Sequence, residues 1–223
     1  SATVNVLALP TASISGTTQL CLNAPEPQIT FTGANGQPPY TFAYSINGGS
    51  PQSISTSSSS NSVTLNVATT ASGTFIYDLI SVSSATTPSC NQLQSSTATV
   101  TILPLPTATI TGNTTVCTND VAPQITFTGA NGQSPFTFTY TINGGASQSI
   151  SSVLGNNSVS LPVSTLTAGT FVYALTGVSS ATTPSCSQVQ TGNATVVVRP
   201  PSTLNTPSTL VQPICNGTAI SPI

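Results

Sequence analysis

The stretch Gln28-Ile-Thr-Phe-Thr-Gly-Ala-Asn-Gly-Gln37 decides the fold of this chain, because it occurs twice. Residues 124–133 repeat it without a change, at a shift of 96 residues. The same shift superimposes further aromatic, turn and cysteine positions: Phe42 on Phe138, Tyr44 on Tyr140, Asn47 on Asn143, Phe75 on Phe171, Tyr77 on Tyr173, and Ser83–Cys90 on Ser179–Cys186. Self-similarity at a fixed period indicates a repeated structural unit. The sequence therefore predicts two tandem copies of one domain.

The apolar residues of each repeat alternate with polar ones, as expected of half-buried β-strands. In the first repeat the alternation runs through five segments, marked by Ile29 and Phe31, by Phe42, Tyr44 and Ile46, by Val63, Leu65 and Val67, by Gly73 to about Val82, and by Ala98, Val100 and Ile102. Asn47-Gly48-Gly49 predicts a tight hairpin, and a serine-rich loop follows at residues 55–60, with its counterpart at 151–156. No segment has helical periodicity. About seven short strands per repeat predict an all-β, immunoglobulin-like β-sandwich.

The shift also predicts where each repeat begins. Residues 1–10, SATVNVLALP, are similar to residues 97–106, TATVTILPLP, which follow the second cysteine of the first repeat. We therefore interpret residues 1–9 as the last strand of a preceding repeat, 10–105 and 106–201 as two complete repeats, and 202–223 as the start of a third. The alternative is that residues 3–9 are an ordinary first strand of the first repeat. The junction Leu103-Pro104-Leu105-Pro106 is short and proline-rich, which predicts a stiff joint and a head-to-tail rod.

Charged side chains are scarce. The sequence has one basic residue, Arg199, three acids, Glu26, Asp78 and Asp120, and no His, for a net charge of -2. Nucleic acids and acidic lipids are bound through several basic side chains, so both are excluded as partners. No apolar run approaches the ~18 residues of a membrane helix, and we expect no membrane insertion.

The cysteines follow the repeat. Cys21 and Cys90 are 69 residues apart, and so are Cys117 and Cys186. In a chain without Lys this paired spacing predicts the disulfides Cys21–Cys90 and Cys117–Cys186, formed in an oxidising compartment, each at one end of its sandwich. The alternatives are four free buried thiols or a metal site, although no CxxC or His is present. We interpret Cys215 as unpaired by truncation, with its partner beyond residue 223.

The sequence contains no group of residues suited to catalysis or to binding a metal or cofactor. Without His or Lys, the many serines have no base to activate them. Each acid occurs in one repeat only, since Asp78 aligns with Ala174, Glu26 with Ala122 and Asp120 with Ala24. Paired-carboxylate chemistry and calcium sites are therefore not expected. We predict that the protein is not an enzyme.

Two other sets of residues have a functional and a structural interpretation. The tyrosines would either stack on sugars or pack in the core, and their strand positions favour the core; they are Tyr40, Tyr44, Tyr77, Tyr140 and Tyr173. Four asparagines fit the N-glycosylation pattern, as chance matches do in so polar a chain; they are Asn113, Asn156, Asn193 and Asn216.

The stretches from Ile29 to Gly48 and from Gly73 to Cys90, ITFTGxxGxxPYTFxYxING and GTFxYxLxxVSSATTPSC, resemble the PKD-like and immunoglobulin-like repeats of giant Bacteroidota surface proteins. The resemblance covers nearly the whole chain, twice. It implies a type IX-secreted adhesin, including the gliding-motility adhesins of the SprB kind. It also implies an extracellular location at the surface of a Gram-negative cell.

Two functional hypotheses follow. In the first, the repeats form a disulfide-stapled stalk or fibre. Their partners would be neighbouring repeats of the same chain and identical chains, since a low net charge promotes self-association. In the second, the repeats themselves bind surface glycans or other surfaces, weakly at each repeat and with avidity from their number.

Overall fold

The computed structural model describes residue 3 and residues 6–201. It contains nine β-strands in each repeat, and none of the described segments is a helix able to span a membrane. The strands of repeat 1 are β1 (Thr11–Ser15), β2 (Thr18–Cys21), β3 (Gln28–Ala34), β4 (Tyr40–Ile46), β5 (Gln52–Ser55), β6 (Ser62–Asn66), β7 (Gly73–Ser84), β8 (Cys90–Leu93) and β9 (Thr97–Leu103). Those of repeat 2 are β10 (Thr107–Thr111), β11 (Thr114–Cys117), β12 (Gln124–Ala130), β13 (Phe136–Ile142), β14 (Gln148–Ser151), β15 (Ser158–Pro162), β16 (Gly169–Ser180), β17 (Ser187–Val189) and β18 (Asn193–Arg199).

Each repeat is a sandwich of two sheets. In repeat 1 the three-stranded sheet has the order β1-β3-β6, and the six-stranded sheet has the order β2-β9-β7-β4-β5, with β8 paired to β7. Repeat 2 has the same arrangement, β10-β12-β15 and β11-β18-β16-β13-β14, with β17 paired to β16. The segments β8 and β9 run antiparallel along successive parts of the long strand β7. This all-β, two-sheet architecture is the predicted immunoglobulin-like sandwich, present twice.

The chain changes sheets early in each repeat. β1 pairs with β3 in one sheet, whereas β2 runs parallel to β9 in the other. Gly16 lies between them with a φ of 116°, and a Cβ there would approach the carbonyl oxygen of Gln28 to 2.4 Å. Only glycine allows both the positive φ and this close approach. Nothing in the alternation of polar and apolar residues indicates this crossover.

The alternating residues form the two cores. Ile29, Phe31, Phe42 and Val100 have no exposed surface, and the rings of Phe31 and Phe42 stack at 5.7 Å. Their equivalents pack in the same way in repeat 2, where Phe127 and Phe138 stack at 5.6 Å. The buried residues of the two repeats form two separate clusters. The strands predicted from alternation are thus confirmed. The loop predicted at residues 55–60 lies one residue later, between the end of β5 at Ser55 and the start of β6 at Ser62.

One expectation needs amendment, and another stays open. Each repeat has nine strands rather than about seven, because the first strand is split by the change of sheet and because β5 and β8 are short strands with weak alternation. The predicted repeat boundaries stay a prediction. Residues 6–10 form no strand, and residues 202–223, including Cys215 and Asn216, lie outside the described part of the chain.

Candidate functional site at the repeat junction

The two sandwiches are joined by a very short backbone segment. β9 ends at Leu103 and β10 begins at Thr107, so that only residues 104–106 lie between the last strand of one repeat and the first of the next. Pro106 is buried and Leu105 is half-buried, whereas Pro104 is exposed. Two prolines in three residues restrict the backbone dihedrals of this joint.

A disulfide crosses the same junction. Cys21 of repeat 1 is bonded to Cys186 of repeat 2, with 5.7 Å between their Cα atoms. Cys90 and Cys117 have free thiols among the described residues. The predicted pairing of Cys21 with Cys90 and of Cys117 with Cys186 is therefore wrong: the bond links the repeats instead of closing each of them.

The strand directions explain why the two cysteines of one repeat do not meet. Cys21 is opposite Leu103 in the β2–β9 pair, and Ile102 is opposite Gly73 at the start of β7. Cys90 is opposite Ser84, at the other end of β7. A strand rises about 3.3 Å per residue, so the 11 steps of β7 separate the two cysteines by roughly 35 Å. A disulfide needs its Cα atoms within about 7 Å.

Cys21 is held at the C-terminal end of repeat 1 by main-chain hydrogen bonds. It ends β2, and the next amide, of Leu22, donates to the carbonyl of Leu103 at 2.8 Å. The chain then turns, and Asn23 N–H donates to the carbonyl of Thr69 at 3.0 Å. The Thr69 hydroxyl, which is buried, donates back to the carbonyl of Ala24 at 2.7 Å. The turn that carries Cys21 is therefore anchored on both sides.

Cys186 is held at the N-terminal end of repeat 2, in the loop between β16 and β17. Its carbonyl accepts a hydrogen bond from Ser180 N–H at 3.0 Å, and the Ser185 hydroxyl donates to the Ser180 carbonyl at 2.8 Å. Ala181 N–H donates to the carbonyl of Gln133 at 3.0 Å, which ties the loop to the turn before β13. Cys186 has no exposed surface.

The two ends face each other across a small cleft. Its walls are formed by Leu103 and Pro104 from repeat 1 and by the Asn131–Gln133 turn with Thr182 from repeat 2. Among residues 6–201, every hydrogen bond has its donor and its acceptor in the same repeat, and none crosses the junction. The covalent links between the described parts of the two repeats are the backbone at residues 104–106 and the disulfide.

The other candidate residues are scattered or buried. Glu26 and Asp120 are exposed in the turns that follow the first cysteines, and Asp78 lies within β7. No three His, Cys, Asp or Glu side chains of the described residues lie together as a metal site would require. Asn113, Asn156 and Asn193 are exposed, but the amide oxygens of Asn113 and Asn156 accept backbone hydrogen bonds.

All five tyrosines belong to the cores, with exposed fractions between 1% and 5%. The structure thus confirms their packing role and removes the sugar-stacking alternative. Burial raises the pKa of Tyr77 above its ordinary value of 10.0, and the neighbouring phenol of Tyr44 adds to this. Tyr173 has a raised pKa for the same reasons, burial first and then Tyr140.

Sequence reasoning missed the residues that position the disulfide. Thr69, Gln133 and Thr182 hold the cysteine turns or line the cleft, yet nothing in the sequence distinguishes them from other threonines and glutamines. The one usable signal was the 96-residue shift, because it shows which cysteines are equivalent. It does not show at which end of a sandwich each of them lies.

Comparison with known proteins yields only weak similarity to solved structures. No protein-family model and no curated protein sequence matches the chain. Among solved structures, a Ca2+-stabilised adhesin that helps an Antarctic bacterium bind ice shares 15% identity and a TM-score of 0.48, over 89% of this chain and 51% of the adhesin. The fibronectin(III)-like modules of Clostridium thermocellum CbhA share 13% identity and a TM-score of 0.33, over 85% of this chain and 95% of theirs. A tandem-repeat extending region of a large adhesion protein shares 13% identity and a TM-score of 0.33, over 86% and 50%. The chain spans about half the length of the ice-binding adhesin and of the large adhesion protein's repeat region.

Proposed function

We propose that this chain is a stalk segment of a long extracellular surface protein, in which successive immunoglobulin-like repeats act as stiff units. The observation that carries the proposal is the Cys21–Cys186 disulfide across a three-residue joint. A single backbone link, even one restricted by two prolines, leaves two domains some freedom to bend and twist about it. A second covalent link, through Cys186, removes most of that freedom, so that the two sandwiches keep one relative orientation.

Composition supports an extracellular stalk. Disulfides persist in oxidising compartments, and charged side chains make up 2% of the chain. A net charge of -2 over 223 residues opposes lateral contact between identical chains only weakly, which favours a fibre of several stalks. The proposal also includes export by the type IX system of a Gram-negative, Bacteroidota-like bacterium and a part in gliding motility. Both rest on the sequence resemblance described above.

The stalk is tested by measuring the end-to-end distance of the two repeats. Spin labels or fluorophores on exposed positions of each repeat should give one narrow distance distribution in the oxidised chain. Cys21→Ser should broaden that distribution without changing the strand content measured by circular dichroism. Cys90→Ser is the matched control, because its thiol is not part of the junction bond. If the oxidised unaltered chain gave a distance distribution as broad as that of Cys21→Ser, the stalk proposal would be contradicted.

A second candidate function is direct adhesion, and one surface favours it. The outer face of each three-stranded sheet carries rows of hydroxyl groups whose oxygens lie 3.0 Å apart, Thr32 with Ser62 and Thr128 with Ser158. Such rows match the hydrogen-bonding groups of glycans and would act through many repeats at once.

Adhesion is tested by retention on immobilised polysaccharides. A variant with Thr32→Val, Ser62→Ala, Thr128→Val and Ser158→Ala should lose retention if this face binds. The control replaces the hydroxyl pairs of the other sheet, Thr41 with Ser55 and Thr137 with Ser151, whose oxygens are 2.8 Å apart. Equal retention of both variants and of the unaltered chain would exclude this face. Substituting the exposed serines 57–59 tests the adjoining loop in the same assay.

A further inference from the structure

The cysteines that are free in this structure occupy the same positions as the cysteines that are bonded. The 96-residue shift places Cys117 on Cys21 and Cys186 on Cys90. Each repeat therefore carries one cysteine of the junction type at each end, and only the two that face the central junction are bonded. The free pair lies at the outer ends: Cys90 on the side of residue 10, and Cys117 on the side of residue 201.

The loop around Cys90 has the conformation that Cys186 uses in its disulfide. The Cys90 sulfur lies 3.7 Å from the carbonyl oxygen of Pro88, and the Cys186 sulfur lies 3.7 Å from that of Pro184. Ser89 donates to the Ser84 carbonyl at 3.1 Å, as Ser185 does to Ser180. Cys90 thus has the geometry of a junction half-site without its partner.

The turn around Cys117 likewise matches that of Cys21. Cys117 ends β11 opposite Arg199, as Cys21 ends β2 opposite Leu103. Thr165 donates to the carbonyl of Asp120 at 2.7 Å, the same bond that Thr69 makes to Ala24. The Asp120 carboxylate also accepts from the Cys117 amide at 2.7 Å, which adds a further anchor in repeat 2.

Exposure is what distinguishes the free cysteines from the bonded ones. Cys186 has no exposed surface whereas its equivalent Cys90 is half-buried, and Cys21 is half-buried whereas its equivalent Cys117 is exposed. At each outer end the cysteine is thus more exposed than its equivalent at the central junction, and it carries a free thiol.

We propose that Cys90 and Cys117 form the same disulfide with repeats of this kind placed before and after the two described here, so that the first cysteine of each repeat bonds the second cysteine of the next. This inference extends the proposed stalk function and rests on it. Each bond forms when two thiols lose two electrons and two protons to an oxidised disulfide such as glutathione disulfide, which is reduced to two thiols. The result is an array in which every junction carries the same two covalent links.

The test adds one repeat to the full chain. A second copy of residues 106–201 is inserted in frame after residue 201. The inserted copy carries Val189→Leu, so that its peptides differ in mass from those of the first copy. Val189 is chosen because it is 81% exposed. After refolding with glutathione disulfide and pepsin digestion without reduction, mass spectrometry should find Cys117 of the first copy bonded to Cys186 of the inserted copy. Cys21 should remain bonded to Cys186 of the first copy.

Two other outcomes would overturn the inference. One is a bond between Cys117 and Cys186 of the same copy, and the other is a Cys117 thiol that alkylates as completely as in the unextended chain. The matched variant, Cys117→Ser in the first copy, should leave Cys186 of the inserted copy free to alkylate. If the extended chain does not fold, the unextended chain is oxidised at high concentration instead. Cys117 of one molecule should then bond Cys90 of another, and the absence of this bond would count against the inference. Distance measurements across the central junction test the stalk separately, because they do not depend on Cys117.

Discussion

Repeat 1 and repeat 2 differ on their outer faces far more than in their cores. Phe31 and Phe127 are both fully buried, and their ring contacts differ by about 0.1 Å. On the outer face, Ala43 is opposite Ser81 in repeat 1, whereas Thr139 is opposite Gly177 in repeat 2, so that a larger side chain faces a smaller one in each case. The comparison shows that ring packing defines this sandwich, while the exposed pairs need only fit together.

A difference in the core concerns one of the aromatic rings. Tyr40 in repeat 1 is replaced by Phe136 in repeat 2, and both are buried against the same glycine of the preceding strand. The Tyr40 hydroxyl oxygen accepts a hydrogen bond from Gly36 N–H at 3.0 Å, a bond that Phe136 cannot provide for Gly132. The ring is therefore required at this position and the hydroxyl is an addition. Four experiments test how independent and how equivalent the two repeats are.

The largest effect is expected from removing a central ring. Phe31→Ala should destabilise repeat 1 by about 3–5 kcal/mol, and Phe127→Ala should do the same to repeat 2, through lost burial and the cavity left behind. Because the two cores are separate clusters, calorimetry of each variant should show one shifted transition and one unchanged. A simultaneous shift of both transitions would mean that the two repeats unfold as one cooperative unit.

The second effect comes from the glycine beneath the ring. A Cβ at Gly129 would lie 2.5 Å from the ring of Phe136, and at Gly33 equally close to Tyr40. Gly129→Ala should cost roughly 1–3 kcal/mol through overpacking, measured by chemical denaturation. The control is Gly169→Ala, where the nearest atom is 3.6 Å away and stability should be unchanged or slightly raised. Equal stabilities of the two variants would show that the ring can move aside.

The third experiment exchanges the Tyr40 and Phe136 rings between the repeats. Tyr40→Phe should weaken repeat 1 by about 0.5–1.5 kcal/mol, because Gly36 N–H loses its acceptor. Phe136→Tyr should strengthen repeat 2 by a similar amount if the hydroxyl reaches Gly132. Thermal unfolding of each variant reports the change. If Phe136→Tyr instead destabilises repeat 2, then the space around Phe136 is too small for the hydroxyl group that fits beside Tyr40 in repeat 1.

The smallest effect concerns alkaline pH. Burial raises the pKa of Tyr77 and Tyr173 above 10.0, so each phenol resists ionisation in the folded state. The unfolded chain ionises first, and stability that is complete below pH 10.0 is lost as the pH rises through the raised pKa values. Tyrosinate absorbance should show both groups titrating late, and Tyr77→Phe should remove the late component of repeat 1 alone. Titration of either at its ordinary pKa would contradict the packing described for it.

The strands and core were predictable because they depend on local alternation. Ile29 and Phe31 point inward in β3 since side chains alternate across a strand, and Asn47-Gly48 turns the chain since both residues adopt positive φ, 51° and 68°. The splitting of β1 from β2 at Gly16 was not predictable, because the glycine's role depends on how closely the carbonyl of Gln28 approaches it. The candidate site was predicted as four cysteines with the wrong partners.

The sequence by itself determined the repeat length, the all-β fold, the inward-facing residues and the equivalence of the cysteines, because each is a matter of period and alternation along the chain. The tertiary structure alone decided which cysteines meet. That outcome depends on the parallel pairing of β2 with β9 and on the length of β7, which place Cys21 and Cys90 at opposite ends of one sandwich. The nearest partner of Cys21 is then found in the following repeat, since a disulfide joins residues that are close in space, whatever their separation of 165 residues along the chain.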